Sequence, residues 1–225
     1  MADPDVNPNR RRGRRPYSSP KREERARETR RRIRDAAWAL FASDGYTGTT
    51  MNAIARAAGV GERTVYLAFP TKTELLGEII SVAVRGDDDD APLAAREAWK
   101  QVLDAPGDEI LPRFATTITA ILARTAAVLA IAEAAAAGDA QLAARRSQGQ
   151  SNMRSDYRAV ADALACAHAL ADDVTPSHAA DMIYALAGHD VYLRLTDECG
   201  WSTARYTRWL RDTLQATLTR PTPRS

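Results

Sequence analysis

The chain has 225 residues, a formal net charge of +2 and 45% hydrophobic residues, which suits one large domain or a small and a medium one. Its two cysteines, Cys166 and Cys199, cannot build a disulfide framework, and its three histidines show no ligand spacing, so neither a metal nor another cofactor is expected. No apolar run approaches the roughly 18 residues of a membrane span, and the arginine-rich start lacks the apolar stretch of a signal peptide, so a cytoplasmic protein without membrane contact is expected.

The small net charge hides an asymmetry. Residues 1–34 carry thirteen Lys/Arg against five Asp/Glu, leaving eighteen basic and twenty-four acidic residues for the rest. A basic end on a mildly acidic body implies a polyanionic partner for that end only. Alanine dominates the apolar residues and aromatics are few, which favours close-packed helices over sheets.

Residues 1–19 mix Pro, Asn, Ser and Arg without apolar periodicity and read as a disordered arm. Its core RRGRRP, with Arg11, Arg12, Arg14 and Arg15, is either a solvated tail or an arm for the narrow minor groove of DNA. From about Pro20 a helix begins, with Ile33, Ala36, Ala37, Leu40 and Phe41 on one face and Gly45 as its stop. Thr50 can cap a second helix that buries Met51, Ile54, Ala55 and Ala58 and ends at Gly59. Gly61 opens a short third helix with Val65 and Phe69 inward, and Pro70 follows it. Thr71 and Glu74 form a capping box for a fourth helix burying Leu75, Ile79 and Val82.

The acidic run 87–90 followed by Pro92 marks a boundary and reads as a solvated linker rather than a metal site. Beyond it, helices are predicted at about 92–105, 108–137 with a possible break near Arg124, 139–171, 176–198 and 202–219. The expected layout is a reading domain over 20–86, a helical body over 92–219 and a tail over 220–225.

A short helix after a glycine turn, packed on a helix with its own buried face, is a helix-turn-helix arrangement. Val65 and Phe69 inward would leave Glu62, Arg63, Thr64, Tyr66 and Ala68 facing outward. Arginine can bond a guanine edge through two N–H groups, and threonine can meet a base edge or a thymine methyl. Hydroxyls of Tyr66 and threonine suit phosphate oxygens, as does Lys72 at a helix N-terminus.

The run TTMNAIARAAGVGERTVYLAFPTKTEL resembles the DNA-binding signature of TetR-type repressors, and the likeness extends back through IRDAAWALFASDGYTGTT. The resemblance implies phosphate contacts from Thr50, Tyr66 and Lys72 and base reading by Glu62, Arg63 and Thr64. Thr49, the other half of the T-T pair, joins that DNA-contacting set. Gly61 departs from the pattern, where the family usually has a serine or similar cap. More loosely, DMIYALAGHDVYLRLTDECGWSTARYTRWLRDTL resembles the closing helices of one subgroup, which pair with a second copy as a four-helix bundle.

These readings imply an all-α protein: an N-terminal helix-turn-helix bundle plus a larger C-terminal helical domain for ligand binding and dimerisation. The resemblance implies a homodimeric, sequence-specific repressor of transcription on double-stranded DNA at a palindromic operator, released by a small-molecule effector. Trp99, Tyr157, Tyr184, His189 and Tyr192 are the candidate pocket residues. Ile183, Val191, Tyr206, Trp209, Leu210, Leu214 and Leu218 form the candidate dimer seam, so a charge at Leu214 should harm association more than folding. A sequence-tolerant architectural DNA-binding protein is one alternative. An enzyme on a helical scaffold is another, although no nucleophile elbow or phosphate loop surrounds the serines, histidines and aspartates, and no catalytic residue is assigned.

Overall fold

A computed structural model describes residues 20–220. The expected arm over 1–19, with Arg11, Arg12, Arg14 and Arg15, lies outside the described residues, as do residues 221–225. The described chain is all helical: α1 (Pro20–Gly48), α2 (Met51–Ala58), α3 (Glu62–Ala68), α4 (Lys72–Arg85), α5 (Glu97–Leu103), α6 (Gly107–Ala136), α7 (Ala140–Cys166), α8 (Pro176–Leu186), α9 (His189–Leu193) and α10 (Thr203–Leu218). A 3-10 turn over Leu93–Ala95 precedes α5, and a π turn over Arg194–Glu198 prolongs α9.

The N-terminal helices begin and end where their capping residues dictate. The Thr50 hydroxyl accepts from the Ala53 N–H, and the Thr71 hydroxyl accepts from the Glu74 N–H, each satisfying a donor that the first helical turn leaves free. Gly45 does not end α1: with φ 73° it kinks the helix, which resumes for a last turn to Gly48. Helix α6 runs unbroken through Arg124, where a break had been a possibility.

The expected single helix over 176–198 is interrupted after Leu186. Its last carbonyls, which no longer have intrahelical partners, take hydroxyl protons from elsewhere. Tyr157 donates to the Ala187 carbonyl at 3.1 Å, and Tyr206 donates to the Leu186 carbonyl at 3.3 Å. Burial pushes both phenols well above their ordinary pKa, so they remain protonated donors. The break is therefore a tertiary decision, invisible to local periodicity.

Two apolar clusters organise the chain. The first joins Ile33, Phe41, Ile54, Val65, Phe69 and Leu76 from α1 to α4 and its flanks with Val128 and Ala136 of α6 and Leu142 of α7. The second is built around Trp99, Phe114, Tyr157, Val160, Ile183 and Tyr206 in the later helices. Helix α6 serves both, packing on α1, α4, α5, α7, α9 and α10. By length and composition alone it is apolar enough to cross a membrane, contrary to the expectation that no run came close; its place as the shared central helix accounts for that apolarity.

The acidic run is not merely solvated. Asp87 takes two N–H groups of Arg96 at 2.6 and 2.8 Å, Asp88 pairs with Arg34, and Asp90 meets Arg85 at 3.3 Å. Arg96 holds the Asp87 carboxyl below its ordinary pKa. The run thereby ties α1, the end of α4 and the start of α5 together.

The stripe on α10 also differs from its expected role. Tyr206, Leu210, Leu214 and Leu218 are fully buried within one chain, against α6 and α8, and Ile183 is equally buried. Only Trp209 and Val191 of the expected seam stay half-exposed. One copy's own core is large enough to absorb the whole Leu/Tyr row, because α6 offers α10 a complete apolar face. Leu214→Ala should therefore destabilise the folded chain itself by about 2–5 kcal/mol, the usual cost of a core leucine truncation. Urea denaturation at several protein concentrations checks this: the loss should be present at every concentration rather than confined to dilute samples.

Candidate nucleic-acid interface and interior cavity

The turn between α2 and α3 needs its glycine for two reasons. Gly59 sits at φ 64°, where L side chains are strained, and a Cβ there would lie 2.9 Å from an Arg32 guanidinium nitrogen. That guanidinium donates to the Ala58 carbonyl and, at 3.2 Å, to the Gly59 carbonyl, placing a cation on the negative end of α2. Arg30 does the same for α3, donating to the Ala68 carbonyl at 2.7 Å while lying 4.2 Å over the Phe69 ring. Helix α1 thus grips the C-terminal ends of both helices of the motif.

With Val65 and Phe69 buried, α3 presents its remaining surface outward. Glu62 and Arg63 are exposed, Thr64 is half-buried, and Tyr66 is 46% exposed. Glu62 accepts from the Asn52 side-chain amide at 3.1 Å, which links α3 to α2 across the turn. Arg63 has no ion-pair partner among the described residues. Gly61 caps α3 with its backbone carbonyl alone, accepting from the Thr64 and Val65 N–H groups.

Two members of the expected contact set are occupied internally. Thr49 is buried, and its hydroxyl donates to the carbonyls of Leu40 at 3.1 Å and Gly45 at 2.8 Å. It holds the kinked corner of α1 and is not on the surface. The Lys72 ammonium donates to the carbonyls of Tyr46 at 2.7 Å and Thr49 at 2.8 Å, and lies 4.2 Å over the Tyr46 ring. Desolvation lowers its pKa from the ordinary lysine value. Thr50 remains exposed, its hydroxyl already capping α2.

Periodicity missed one surface residue. Leu67 is 75% exposed, whereas Ala68, expected to face outward, is half-buried against the N-terminal core. The helical spacing did carry the signal, since Leu67 lies off the row of Val65 and Phe69.

The body holds a cavity of about 980 Å³ between α4, α6, α7 and the α8–α9 break. Leu76, Ile80, Ile118, Ile121, Leu122 and Met153 supply apolar wall. Tyr157, Tyr184 and His189 line it as expected, and His189 Nε2 sits 3.1 Å from Glu133 Oε2. Trp99 and Tyr192 do not line it. Trp99 is buried edge-on to Phe114 at 6.1 Å, and Tyr192 is buried on Tyr206 at 4.9 Å. Both are core residues: the α8–α9 break and the turn into α5 carry them away from the cavity wall. The charged lining residues Arg85, Glu133, Arg145, Arg146, Asp156 and Asp190 had not been singled out.

The profile of the family described as Bacterial regulatory proteins, tetR family, matches residues 33–79. The HTH-type transcriptional regulator AcrR of Shigella flexneri is 41% identical over 59 residues, which are 26% of this chain and 27% of that protein. The alignment therefore spans about a quarter of that relative's length. Among solved structures, the SmeT–triclosan complex superposes with a TM-score of 0.68 at 19% identity, covering 88% of this chain and 99% of that one. A transcriptional regulator from Saccharomonospora viridis in complex with choline gives 0.67 at 20% identity, covering 87% and 100%. At such identities these structures establish a shared fold over nearly the whole chain.

Replacing Lys72 by methionine keeps most of the side-chain volume but removes the brace between the α1 corner and α4. The DNA-free protein should lose about 1–3 kcal/mol, the range for a hydrogen bond to a charged group. Chemical denaturation without nucleic acid checks it. A lysine that served only as a phosphate contact would leave that stability unchanged.

Proposed function

We propose that this chain, whose residues 33–79 are a DNA-binding domain of the TetR family of bacterial regulatory proteins, is a homodimeric, cytoplasmic repressor of transcription without enzymatic activity, released from its operator by a small molecule. The observation that carries this reading is the outward face of α3, where Arg63, Tyr66 and Leu67 project from a helix held at both ends by other parts of the head. A helix of this kind enters the major groove, with side chains near its start meeting base edges. In that pose Arg63 bonds a guanine edge, Leu67 packs on a thymine methyl, and the hydroxyls of Thr50 and Tyr66 take phosphate oxygens. Residues 20–86 form the reading unit on this view, and 92–219 the sensing and pairing body.

Release follows from the placement of α4. Leu76, Ile80, Val84 and Arg85 line the cavity, while Leu75, Leu76 and Ile79 belong to the core beneath the reading helices. A ligand that fits the cavity better in one setting of α4 shifts the heads toward that setting, and with it the distance between two copies of α3. Half-sites in successive major grooves lie about 34–36 Å apart, so a small change in separation is enough to lose one of them. That solved neighbours of this fold were captured with choline and with triclosan supports an effector role for the cavity.

Pairing falls to the surface that α10 and α9 leave uncovered. Trp209, stacked edge-on to Trp201 at 6.1 Å, and Val191 are the half-exposed apolar members of that face. Trp209→Glu should give monomers at micromolar concentration by light scattering while preserving the helical circular-dichroism signal. A dimer of unchanged affinity would remove this face from the interface.

For the reading helix, fluorescence anisotropy against a library of duplexes separates the roles. Arg63→Ala should relax preference at one base-pair position, at a cost of about 1–3 kcal/mol, whereas Tyr66→Phe should weaken binding evenly across sequences. Equal affinity of the parent protein for all duplexes would instead mark a sequence-tolerant DNA-binding protein.

A further inference from the structure

The start of α1 lies outside the core. Residues 21–28 are all exposed, and the core of the head begins only at Ile33. The stretch also precedes residues 33–79, the part of the chain that matches the family profile. Its charges sort by face. Steps of three, four and seven residues put Lys21, Arg22, Arg25, Thr29 and Arg32 along one side of the helix. Glu23 and Glu24 lie off that row, and Glu28, at its edge, is turned to Arg31 at 2.8 Å. Acidic residues early in a helix oppose the positive end of its dipole and support it, whereas cations there do the reverse. Helix formation therefore gives no account of the row.

Other arginines of the same helix have internal partners. Arg30 holds the end of α3 and meets Glu78 at 3.6 Å, Arg31 pairs with Glu28, and Arg34 joins Glu78 and Asp88. Lys21, Arg22 and Arg25 have no ion-pair partner among the described residues. Arg32 fixes the direction of the row. Its guanidinium reaches the Ala58 and Gly59 carbonyls, in the turn that leads directly into Glu62 and Arg63. The unpaired cations therefore run away from the end of the motif where α3 begins. From Arg32 back to Lys21 the row extends about 16 Å, at about 1.5 Å per residue. A DNA strand presents one phosphate per roughly 3.4 Å of axis, so several fall within that reach.

We infer that this row is a second DNA contact, which grips the phosphate backbone of base pairs outside the stretch that α3 reads. The inference rests on reading α3 as the helix that enters the major groove. Charge complementarity commits the row to DNA: its cations are spread along a line, unpaired and exposed, with no apolar side chain among them to seat a protein. Contacts to phosphate set register and orientation and carry no sequence information directly. The row therefore lengthens the footprint of each head and adds affinity, while base preference stays with α3.

The test uses the full chain and a duplex that it selects from a random library, trimmed to the shortest length that keeps sequence preference. A second duplex extends the first by about six base pairs at each end, more than the row can span at roughly 3.4 Å per step. Anisotropy is measured over a salt series. Extension should tighten binding of the parent roughly ten-fold or more at low salt. In a Lys21→Gln, Arg22→Gln, Arg25→Gln triple variant that gain should vanish, and the slope of log affinity on log salt should fall by about 2–3, at roughly 0.9 per lost phosphate contact. The preferred sequence should not change. Arg27→Gln removes a charge from the opposite face and should keep the gain, whereas Arg25→Gln alone should reduce it. Equal losses from those two single variants would overturn the inference, leaving overall charge as the cause. A gain that survives in the triple variant would overturn it as well and assign the flanking contact to residues 1–19, as would a parent indifferent to the extension. In each of these cases, sequence-selective binding of the trimmed duplex leaves the repressor reading intact. A parent that binds all duplexes alike would end that reading and this inference together.

Discussion

A helix that is apolar on two faces must be buried twice, and α4 meets that demand by lying between the two halves of the molecule. Leu75, Leu76 and Ile79 close the core under α2 and α3, in contact with Val128 and Ala136 of α6. Ile80 and Val84 turn toward the cavity. Helix α4 shares this double role with α6, whose Val128 and Ala136 join the same core while Ile118, Ile121 and Leu122 line the cavity, so the reading unit and the cavity meet along the α4–α6 contact. Close-packed cores do not deform continuously, and a displacement at one face of such a helix must reappear at the other.

Within the head, the short motif helices owe their placement as much to charge as to burial. Seven-residue α3 buries chiefly Val65, with Phe69 at its end, which is little surface for holding a helix still. The deficit is met at its termini: Arg30 occupies the carbonyl end, and the Asn52–Glu62 contact fixes the start. Arg32 treats α2 in the same way. Cations on helix C-termini satisfy carbonyls that have no partner and oppose the negative end of the dipole. Part of the basic charge near the N-terminus, which by composition pointed only to a polyanion, is therefore internal scaffolding.

What was legible in the sequence was whatever neighbouring residues decide. Thr50, Thr71 and Gly59 announce helix ends because capping is a contact of two or three residues, and Val65 with Phe69 announces an inner face. The unread parts depend on partners far away in the chain. The carbonyls at the α8–α9 break are satisfied by hydroxyl protons donated from Tyr157 and Tyr206, and the burial of Thr49 follows from a kink that a helix stop at Gly45 would not have required. The α10 stripe was read correctly as apolar, but pattern alone cannot say whether a face meets its own chain or another. At the candidate site, the outward set on α3 was legible apart from Leu67, which it lacked, and Ala68, which is half-buried against the core. The cavity's charged lining was not, since α7 is polar along most of its first half and only packing selects which side faces inward.

The carboxylates of residues 87–90 sit where α4 hands over to α5, and their arginine partners come from α1, α4 and α5. Asp87, Asp88 and Asp90 all keep at least half of their side chains in solvent. Their arginine partners Arg34, Arg85 and Arg96 are only 10–17% exposed, so salt, which screens over about 8–10 Å at physiological ionic strength, weakens these pairs only in part. The seam of apolar contacts under α4 is indifferent to that screening. The junction of α4 and α5 with α1 therefore has one fastening that added salt loosens in part and one that it does not touch.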